Sequence, residues 1–120
     1  MGVEQRDVYL LPPTHDSSLI EHPFIVLSVK DANDYEGTFV GVMITSSSNY
    51  LDDFSFRLDN QMFDKPLGKQ GSHARMHLIT LCVSDAIKGT RINKMKPFYF
   101  KQLMKSIGDL IFNYDFTPIE

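Results

Sequence analysis

The 120-residue sequence holds a single cysteine, Cys82, and no apolar run approaching the roughly 20 residues of a membrane-spanning helix. One cysteine excludes an intrachain disulfide and a cysteine-rich zinc site. Gln5, Arg6 and Asp7 precede any apolar run, so the N-terminus does not resemble a signal peptide. Repeats and low-complexity tracts are also absent. These features predict a cytoplasmic protein without membrane association, formed by one domain over residues 1–120.

The balance of charge limits the kinds of nucleic-acid-binding protein that this sequence can encode. The formal net charge is -3, which argues against a general nucleic-acid coat protein. Basic side chains nevertheless predominate in residues 61–120, with nine Lys and Arg against five Asp and Glu. The second half could therefore build a local basic groove. Alternatively, the two halves mix in space and the asymmetry has no functional meaning.

Hydrophobic patterning predicts a mainly β fold with a C-terminal helix, arranged as a small and strongly bent barrel or sheet. The predicted strands are residues 7–11, 24–29, 38–45, 54–58, 72–81 and 90–95. Turn formers predict loops at residues 31–37 and 84–89, and the long segment 59–71 is predicted to be a functional or mobile loop. Pro97 opens the helix, whose predicted apolar stripe is Phe100, Leu103, Met104, Ile107, Leu110 and Ile111.

The most distinctive pattern is Ser-His-Ala-Arg-Met-His-Leu-Ile-Thr-Leu at residues 72–81. Side chains of a strand alternate between two faces. One predicted face carries Ala74, Met76 and Leu78. The opposite face carries His73, Arg75, His77 and Ile79. Neighbours on one face stand about 7 Å apart, too far for direct hydrogen bonds but suited to contacting one anionic ligand, such as a phosphodiester. A sheet edge with solvated histidine and arginine is the simpler alternative.

Two other kinds of site compete for the histidines and the cysteine. His73 and His77 would lie about 13 Å apart along a strand, so they could not share a zinc ion bound at about 2.1 Å. We therefore predict no metal or other cofactor. Cys82 could in principle be the nucleophile of a Cys-His hydrolase. Its position after an apolar strand instead favours a buried, unreactive thiol.

Three segments together resemble PemK/MazF-like toxins. Residues 6–10 (Arg-Asp-Val-Tyr-Leu) are similar to the family's opening Gly-Asp-Ile/Val-Tyr strand. Residues 22–28 (His-Pro-Phe-Ile-Val-Leu-Ser) resemble its Arg-Pro-x-Leu-Val-Leu-Ser strand, and residues 42–46 (Val-Met-Ile-Thr-Ser) its Val-x-Pro-Ile-Thr-Ser strand end. The resemblance implies an SH3-like barrel that forms a homodimer and cleaves single-stranded RNA without a metal. It also implies a type II toxin-antitoxin system, in which a cognate antitoxin inserts a flexible tail into the RNA groove.

The resemblance extends to individual site residues. Thr45 corresponds to the family's functional threonine at the strand end. Arg75 falls where some members carry a catalytic arginine, and His77 occupies the acidic position two residues later. His22 stands where the family has an arginine before the proline, and Thr80 replaces the arginine of its Gln-Ile-Arg-Thr run. The chain therefore departs from the usual RNA-cleaving set at these last two positions.

The chemistry of RNA cleavage suggests roles for these residues. Attack by an internal 2'-hydroxyl needs a base, a cation for the phosphate oxygens and an acid for the leaving oxygen. Histidine suits both proton roles because its unperturbed pKa is about 6.5, and arginine suits the phosphate. In the predicted roles, Arg75 binds the phosphate while two histidines exchange protons. The predicted catalytic residues are Thr45, Arg75, His77 and His22. The predicted further RNA contacts are Ser46, His73 and His15.

Simpler interpretations stand beside these roles. His22 could be a loop residue shaped by the following proline, the Thr45 hydroxyl could cap its own turn, and His15 could be solvated. The whole barrel could also be a non-catalytic module that binds a protein partner, as the related gyrase-poisoning toxins do. A groove shared by Thr45, Arg75 and His77 would favour the nuclease. A flat face, or one covered by the helix, would favour the binding module.

Overall fold

The computed structural model describes residues 2–12 and 20–113, which form six strands and two α-helices. The strands are β1 (Asp7–Leu11), β2 (His22–Val26), β3 (Thr38–Thr45), β4 (Ser55–Arg57), β5 (His73–Val83) and β6 (Lys88–Lys94). The α-helices are α1 (Lys30–Glu36) and α2 (Pro97–Leu110), and short 3₁₀ turns span Ser48–Tyr50, Asn60–Met62 and Ser84–Ala86. Neither α-helix has the length and apolarity needed to cross a membrane.

The strands form one antiparallel sheet in the order β4-β5-β3-β2-β1-β6. The segment after β4 returns to the opposite end of this sheet. There Phe63 forms a bridge with Met95, and the Asp64 amide donates to the Lys94 carbonyl at 3.0 Å. These contacts bend the sheet into a barrel. The predicted mainly β barrel with a helix after Pro97 is confirmed.

Apolar side chains are buried on both faces of β1, β2 and β3. In β2, Ile25 joins a cluster beneath α2, whereas Phe24 and Val26 join a second cluster on the other face. The first cluster also contains Val8, Leu27, Val42, Ile44, Leu58, Phe63, Ala74, Met76, Met95, Phe100, Leu103 and Ile107. The second also contains Val3, Tyr9, Leu11, Phe39, Met43 and Cys82. Burial on both faces explains why these strands are almost continuously apolar in sequence.

The loop predicted over residues 31–37 is wrong, because most of it belongs to helix α1. Asn33 is buried there, and its amide donates to the carbonyls of Val3 (2.8 Å) and Ser28 (3.1 Å). The helix ends at Gly37, whose φ of +69° suits glycine. The hydrogen bond of the Asn33 side chain to the distant Val3, together with the local one to Ser28, therefore outweighs the turn propensity of this Asp- and Asn-rich segment.

Arg6 adopts a left-handed backbone, with φ +78°, at the position where the resembled toxins have glycine. Such a conformation costs a non-glycine residue roughly 1–2 kcal/mol. Arg6 makes three hydrogen bonds of 2.9 Å, of which only the guanidinium bond depends on the arginine side chain and can offset this cost. Its amide donates to the Val26 carbonyl, its guanidinium donates to the Met95 carbonyl, and its own carbonyl accepts from the Met95 amide. Arg6 thus ties the start of β1 to β2 and to the segment before α2.

The apolar stripe predicted for α2 is too wide. Phe100, Leu103 and Ile107 are buried against the sheet, but Met104 and Leu110 are 38% and 51% exposed. Successive residues of an α-helix are about 100° apart, so Met104 and Leu110 lie at the two edges of the arc that the three buried side chains occupy. The helix therefore contacts the barrel through a narrow strip.

Replacement of one buried and one exposed leucine on α2 tests this packing. Leu103→Ala should lower the free energy of unfolding by about 2–5 kcal/mol, because it leaves a cavity in the first cluster. Leu110→Ala, the matched control, should change it by less than about 0.5 kcal/mol. Urea denaturation measures both values. Equal losses in the two variants would contradict the packing described for α2.

Candidate functional site

A cleft of about 430 Å³ lies between two parts of the chain. One is formed by the start of β2 and the adjacent end of β3, and the other is the loop that joins β4 to β5. The apolar lining of the cleft comes from Val8, Leu10, Ile20, Pro23, Ile44, Pro66, Leu67 and Ile92. Its polar lining comes from Glu21, His22, Thr45, Ser46, Lys69, Ser72 and Asn93. An apolar floor combined with a few polar side chains is typical of a site for a small ligand or a single unit of a polymer.

Antiparallel pairing brings three of the predicted site residues to this cleft. Because β2 runs against β3, the start of one strand lies beside the end of the other. His22 opens β2, Thr45 closes β3 and Ser46 follows it. The Thr45 hydroxyl accepts a hydrogen bond from the Ser47 amide at 3.2 Å, so it does cap its own turn. A hydroxyl that accepts still has a proton to donate, so Thr45 could also bind a ligand oxygen.

Arg75 lies outside the cleft lining and instead contacts the segment before β4 and the first residue of that strand. One terminal nitrogen, Nη1, donates to Asp52 Oδ1 and to Ser55 Oγ, both at 3.1 Å. The other, Nη2, lies 3.3 Å from His77 Nε2. The predicted spacing had excluded a direct contact between Arg75 and His77. That expectation is wrong, because the long arginine side chain spans the distance between neighbouring positions on the strand.

The Arg75–Asp52 ion pair fixes the segment that leaves the cleft after Thr45. Arg75 is only 4% exposed, and Asp52 Oδ1 also accepts from the Phe54 amide at 2.9 Å. The Arg75 hydrogen bond, followed by the one from Phe54, holds the pKa of Asp52 below its ordinary value of 3.8. The Phe54 ring packs against His77 with 5.8 Å between ring centroids. Arg75 and His77 therefore face this segment, and neither the cleft nor α2.

The predicted alternation of side chains along β5 is wrong in its second half. The pairs Ile44–Ala74 and Val42–Ile79 leave the intervening residues of β5 opposite a single residue of β3. Such a bulge changes the face to which the following residues point. Leu78 consequently packs with the second cluster and Ile79 with the first, the reverse of the predicted faces.

The predicted RNA contact His73 does not line the cleft. His73 is 1% exposed and lies between β3 and β4, where it pairs with Thr45 on one side and Arg57 on the other. Its Nδ1 is 3.2 Å from the Gly71 carbonyl oxygen. The burial of its side chain therefore keeps His73 from contacting a ligand in the cleft. His15 lies outside the described residues.

Lys69 and Ser72 line the cleft but were not among the predicted site residues. Both come from the chain that joins β4 to β5, and the length of the predicted loop at 59–71 was the available signal. Ser72 Oγ donates to the Lys69 carbonyl at 2.9 Å. Asn93 also lines the cleft, but its side chain both accepts from the Lys65 amide and donates to the Lys65 carbonyl. Asn93 therefore has a structural role.

A second groove, of about 290 Å³, lies between α2 and the sheet and is almost entirely apolar. Its lining residues are Leu27, Ser28, Val40, Ile79, Met104, Ile107, Gly108 and Phe112. Leu81, which pairs with Val40, is 61% exposed, and Phe112 is 67% exposed. Exposed apolar side chains beside an apolar groove are more suited to a protein partner than to a phosphate-bearing ligand.

The described residues offer neither a reactive thiol nor a metal cluster. Cys82 is fully buried, and burial raises the pKa of its thiol to about 12. The predicted buried thiol is confirmed. Within residues 2–12 and 20–113, no three His, Cys, Asp or Glu side chains converge in a way that could hold a metal ion.

Comparison with known proteins identifies the architecture. No protein-family model and no curated protein matches the sequence. Among solved structures, MazF from Deinococcus radiodurans matches with a TM-score of 0.72 and 12% identity, over 94% of this chain and 99% of that one. A MazE-MazF structure from the same organism gives 0.70 and 15%, over 93% and 98%. A mycobacterial endoribonuclease in complex with its cognate antitoxin gives 0.66 and 13%, over 89% and 92%. The chain has the MazF-like toxin fold.

The chemical reactivity of Cys82 can be tested directly. With a pKa of about 12, only about one thiol in ten thousand is ionised at about pH 8, against roughly a quarter in an unfolded chain. The native protein should therefore not react with a disulfide reagent during the time in which the urea-unfolded protein reacts fully. Absorbance of the released thiolate measures both rates. Equal rates in the two states would show that the thiol is accessible.

The Arg75–Asp52 ion pair should make stability depend on pH in one direction. The folded state lowers the pKa of Asp52, so the ion pair stabilises the fold above the unfolded value of about 3.8. This contribution is lost as pH falls through the lower folded value. Asp52→Asn should therefore be less stable than wild type near neutral pH, and the difference should vanish in acid. Asp53→Asn at the exposed neighbouring position is the matched control, and urea denaturation across pH is the measurement. A constant difference for Asp52→Asn would refute the assignment.

Proposed function

We propose that this chain is a metal-independent endoribonuclease toxin of a type II toxin-antitoxin system, and that it cleaves single-stranded RNA in the cleft. One observation carries the proposal: His22, Thr45, Ser46 and Lys69 line one cleft of a barrel with the MazF-like fold. These side chains include a proton-exchanging group, hydroxyl donors and a cation, which are the types of group that phosphodiester cleavage requires.

In the proposed reaction, His22 removes the proton from the 2'-hydroxyl of the bound RNA. The 2'-oxygen then forms a bond to phosphorus, and the bond between phosphorus and the 5'-oxygen breaks. Water supplies the proton that the departing 5'-oxygen takes up. The Thr45 hydroxyl donates to a non-bridging phosphate oxygen, where negative charge develops. The products are a 2',3'-cyclic phosphate and a free 5'-hydroxyl.

Arg75 and His77 act indirectly in this proposal, which changes the roles first expected from sequence. Arg75 would have to leave Asp52 before it could contact a phosphate. We assign it to holding the segment from Ser46 to Asp52, with His77 as its second partner. This segment carries the cleft residue Ser46, so the ion pair preserves the shape of one wall.

The proposed partners follow from the fold and from the solved structures that share it. Two of those structures contain a toxin with its antitoxin, MazE-MazF and the mycobacterial endoribonuclease complex. We propose a cognate antitoxin for this chain, which would compete with RNA for the cleft. We also propose a homodimer located in the cytoplasm, in which a two-fold axis would place two clefts on one assembly.

A second candidate is a non-catalytic barrel that binds a protein partner. The observation that favours it is the apolar groove beside α2, with the exposed side chains of Leu81 and Phe112. The separation of Arg75 from the cleft also fits this candidate. A protein that leaves RNA intact, with or without added divalent metal, would support it.

Cleavage of a long single-stranded RNA in EDTA tests the nuclease. Wild type should cut it, and His22→Ala should cut at least about a hundredfold more slowly because the proton acceptor is lost. Thr45→Val, which keeps the shape but removes the hydroxyl, should lose about a hundredfold or more. Gel analysis of initial rates is the measurement, and Leu110→Ala on the far helix is the control.

The pH dependence separates proton transfer from mere binding. Wild type should lose rate toward acid, because protonated His22 cannot accept the 2'-proton, and His22→Ala should lack that limb. Wild-type cleavage that requires added metal would contradict the metal-independent mechanism. A His22→Ala enzyme as fast as wild type would exclude His22 as the base.

A further inference from the structure

The cleft needs a cation for the RNA phosphate, and the arginine first expected to supply it is engaged elsewhere. Arg75 is buried against Asp52 and does not line the cleft. Lys69 is the one Lys or Arg among the described lining residues. We propose that Lys69 contacts the phosphate of the bound RNA, an inference that rests on the proposed RNA-binding function of this cleft.

The loop holds the Lys69 backbone on both sides while its side chain stays exposed. On one side, the buried Ser72 donates through Oγ to the Lys69 carbonyl at 2.9 Å. On the other, the Leu67 amide donates to Asn60 Oδ1 at 2.9 Å, and the Leu67 side chain packs against the first cluster. The fold therefore holds the backbone from which the Lys69 side chain projects, and the flexible stem lets the ammonium group adjust to a ligand.

Two of the three basic side chains of the neighbouring strand β6, those of Lys94 and Arg91, pair with acidic partners. Lys94 Nζ lies 3.0 Å from Asp7 Oδ1 and 3.4 Å from Glu4 Oε1. Arg91 Nη1 lies 3.3 Å from the same Asp7 oxygen. The buried Asp7 carboxylate therefore draws Lys94 and Arg91 towards β1, and the third basic residue of the strand, Lys88, is exposed and does not line the cleft. This leaves Lys69 as the cation best placed to meet an anion in the cleft.

The cleft residues suit one nucleotide unit of RNA. Lys69 lies on the loop wall, whereas His22 and Thr45 come from the strand ends that form the other wall. A phosphate between these walls would receive the Lys69 charge and the Thr45 hydroxyl, with His22 near the reacting atoms. The apolar floor, which includes Ile44 and Leu67, would accept the flat face of a base.

Salt dependence of RNA binding isolates this contact from a structural effect. For single strands, the logarithm of affinity falls with the logarithm of salt concentration by about 0.7 for each phosphate contact. The probe is a single-stranded RNA carrying 2'-O-methyl groups, which the 2'-hydroxyl mechanism cannot cleave. Lys69→Ala should reduce the magnitude of the slope by about 0.7, and Lys69→Arg should retain the wild-type slope. Lys101→Ala, at an exposed lysine of α2, should leave it unchanged.

The outcomes separate this inference from the proposed nuclease. A Lys69→Ala protein that binds with the wild-type slope overturns the role of Lys69, whether or not wild type cleaves RNA. A reduced slope in a protein that cleaves no RNA supports the phosphate contact and overturns the nuclease. Failure of wild type to bind the probe overturns both.

Discussion

The shift in pairing between β3 and β5 determines which side chains reach the cleft. Before the shift, β5 runs between β3 and β4, so His73 is enclosed by strands on both sides. Within the shifted stretch of β5, Arg75 and His77 do not pair with β3. Arg75 instead contacts both His77 and the carboxylate of Asp52, in the segment before β4. The end of β3 stays paired with β5 on one side, and on its other side lies the start of β2, so Thr45 and His22 line the cleft together. The bulge thus separates the predicted site residues on β5 from those that line the cleft.

The chain also differs from the toxins that it resembles in the source of positive charge at the site. Those toxins have arginine where this chain has His22 and Thr80, and both differences remove positive charge. The remaining arginine of the region, Arg75, supports the wall of the cleft through its ion pair with Asp52. In our proposal the phosphate cation is supplied by the loop between β4 and β5 instead. Lysine suits that place because it provides a mobile point charge, whereas arginine needs a fixed geometry for its two-pronged contacts.

Local sequence patterns were enough to predict strands β1 and β3 and the start of helix α2. β1 and β3 coincide with their predicted ranges, because a strand buried on both faces is continuously apolar. Pro97 marks the first turn of α2, because proline is tolerated there and disrupts a helix at most interior positions. The resemblance led us to expect that Thr45, Arg75 and His77 converge with His22 nearby. Of these four residues, His22 and Thr45 line the cleft, whereas Arg75 and His77 do not.

The features that the sequence did not predict depend on contacts between residues far apart in the chain. Helix α1 is tied to the N-terminal segment by the hydrogen bond from Asn33 to Val3, and no local pattern reveals that bond. The partner of Arg75 lies 23 positions away, so the charge appeared available in sequence although the fold neutralises it. The bulge in β5 reverses two side chains without any glycine or proline to mark it. Lys69 belongs to a loop whose length suggested function but whose path no periodic pattern describes.

The central claim is that RNA binds in the cleft at the ends of β2 and β3. Mapping of backbone amide chemical shifts by NMR, during titration with 2'-O-methyl single-stranded RNA, tests it most directly in a 13.7 kDa protein. The account predicts that the largest changes occur at Thr45, Ser46 and Lys69. Changes concentrated at Ile79, Leu81 and Phe112 beside α2, with the cleft amides unmoved, would contradict it.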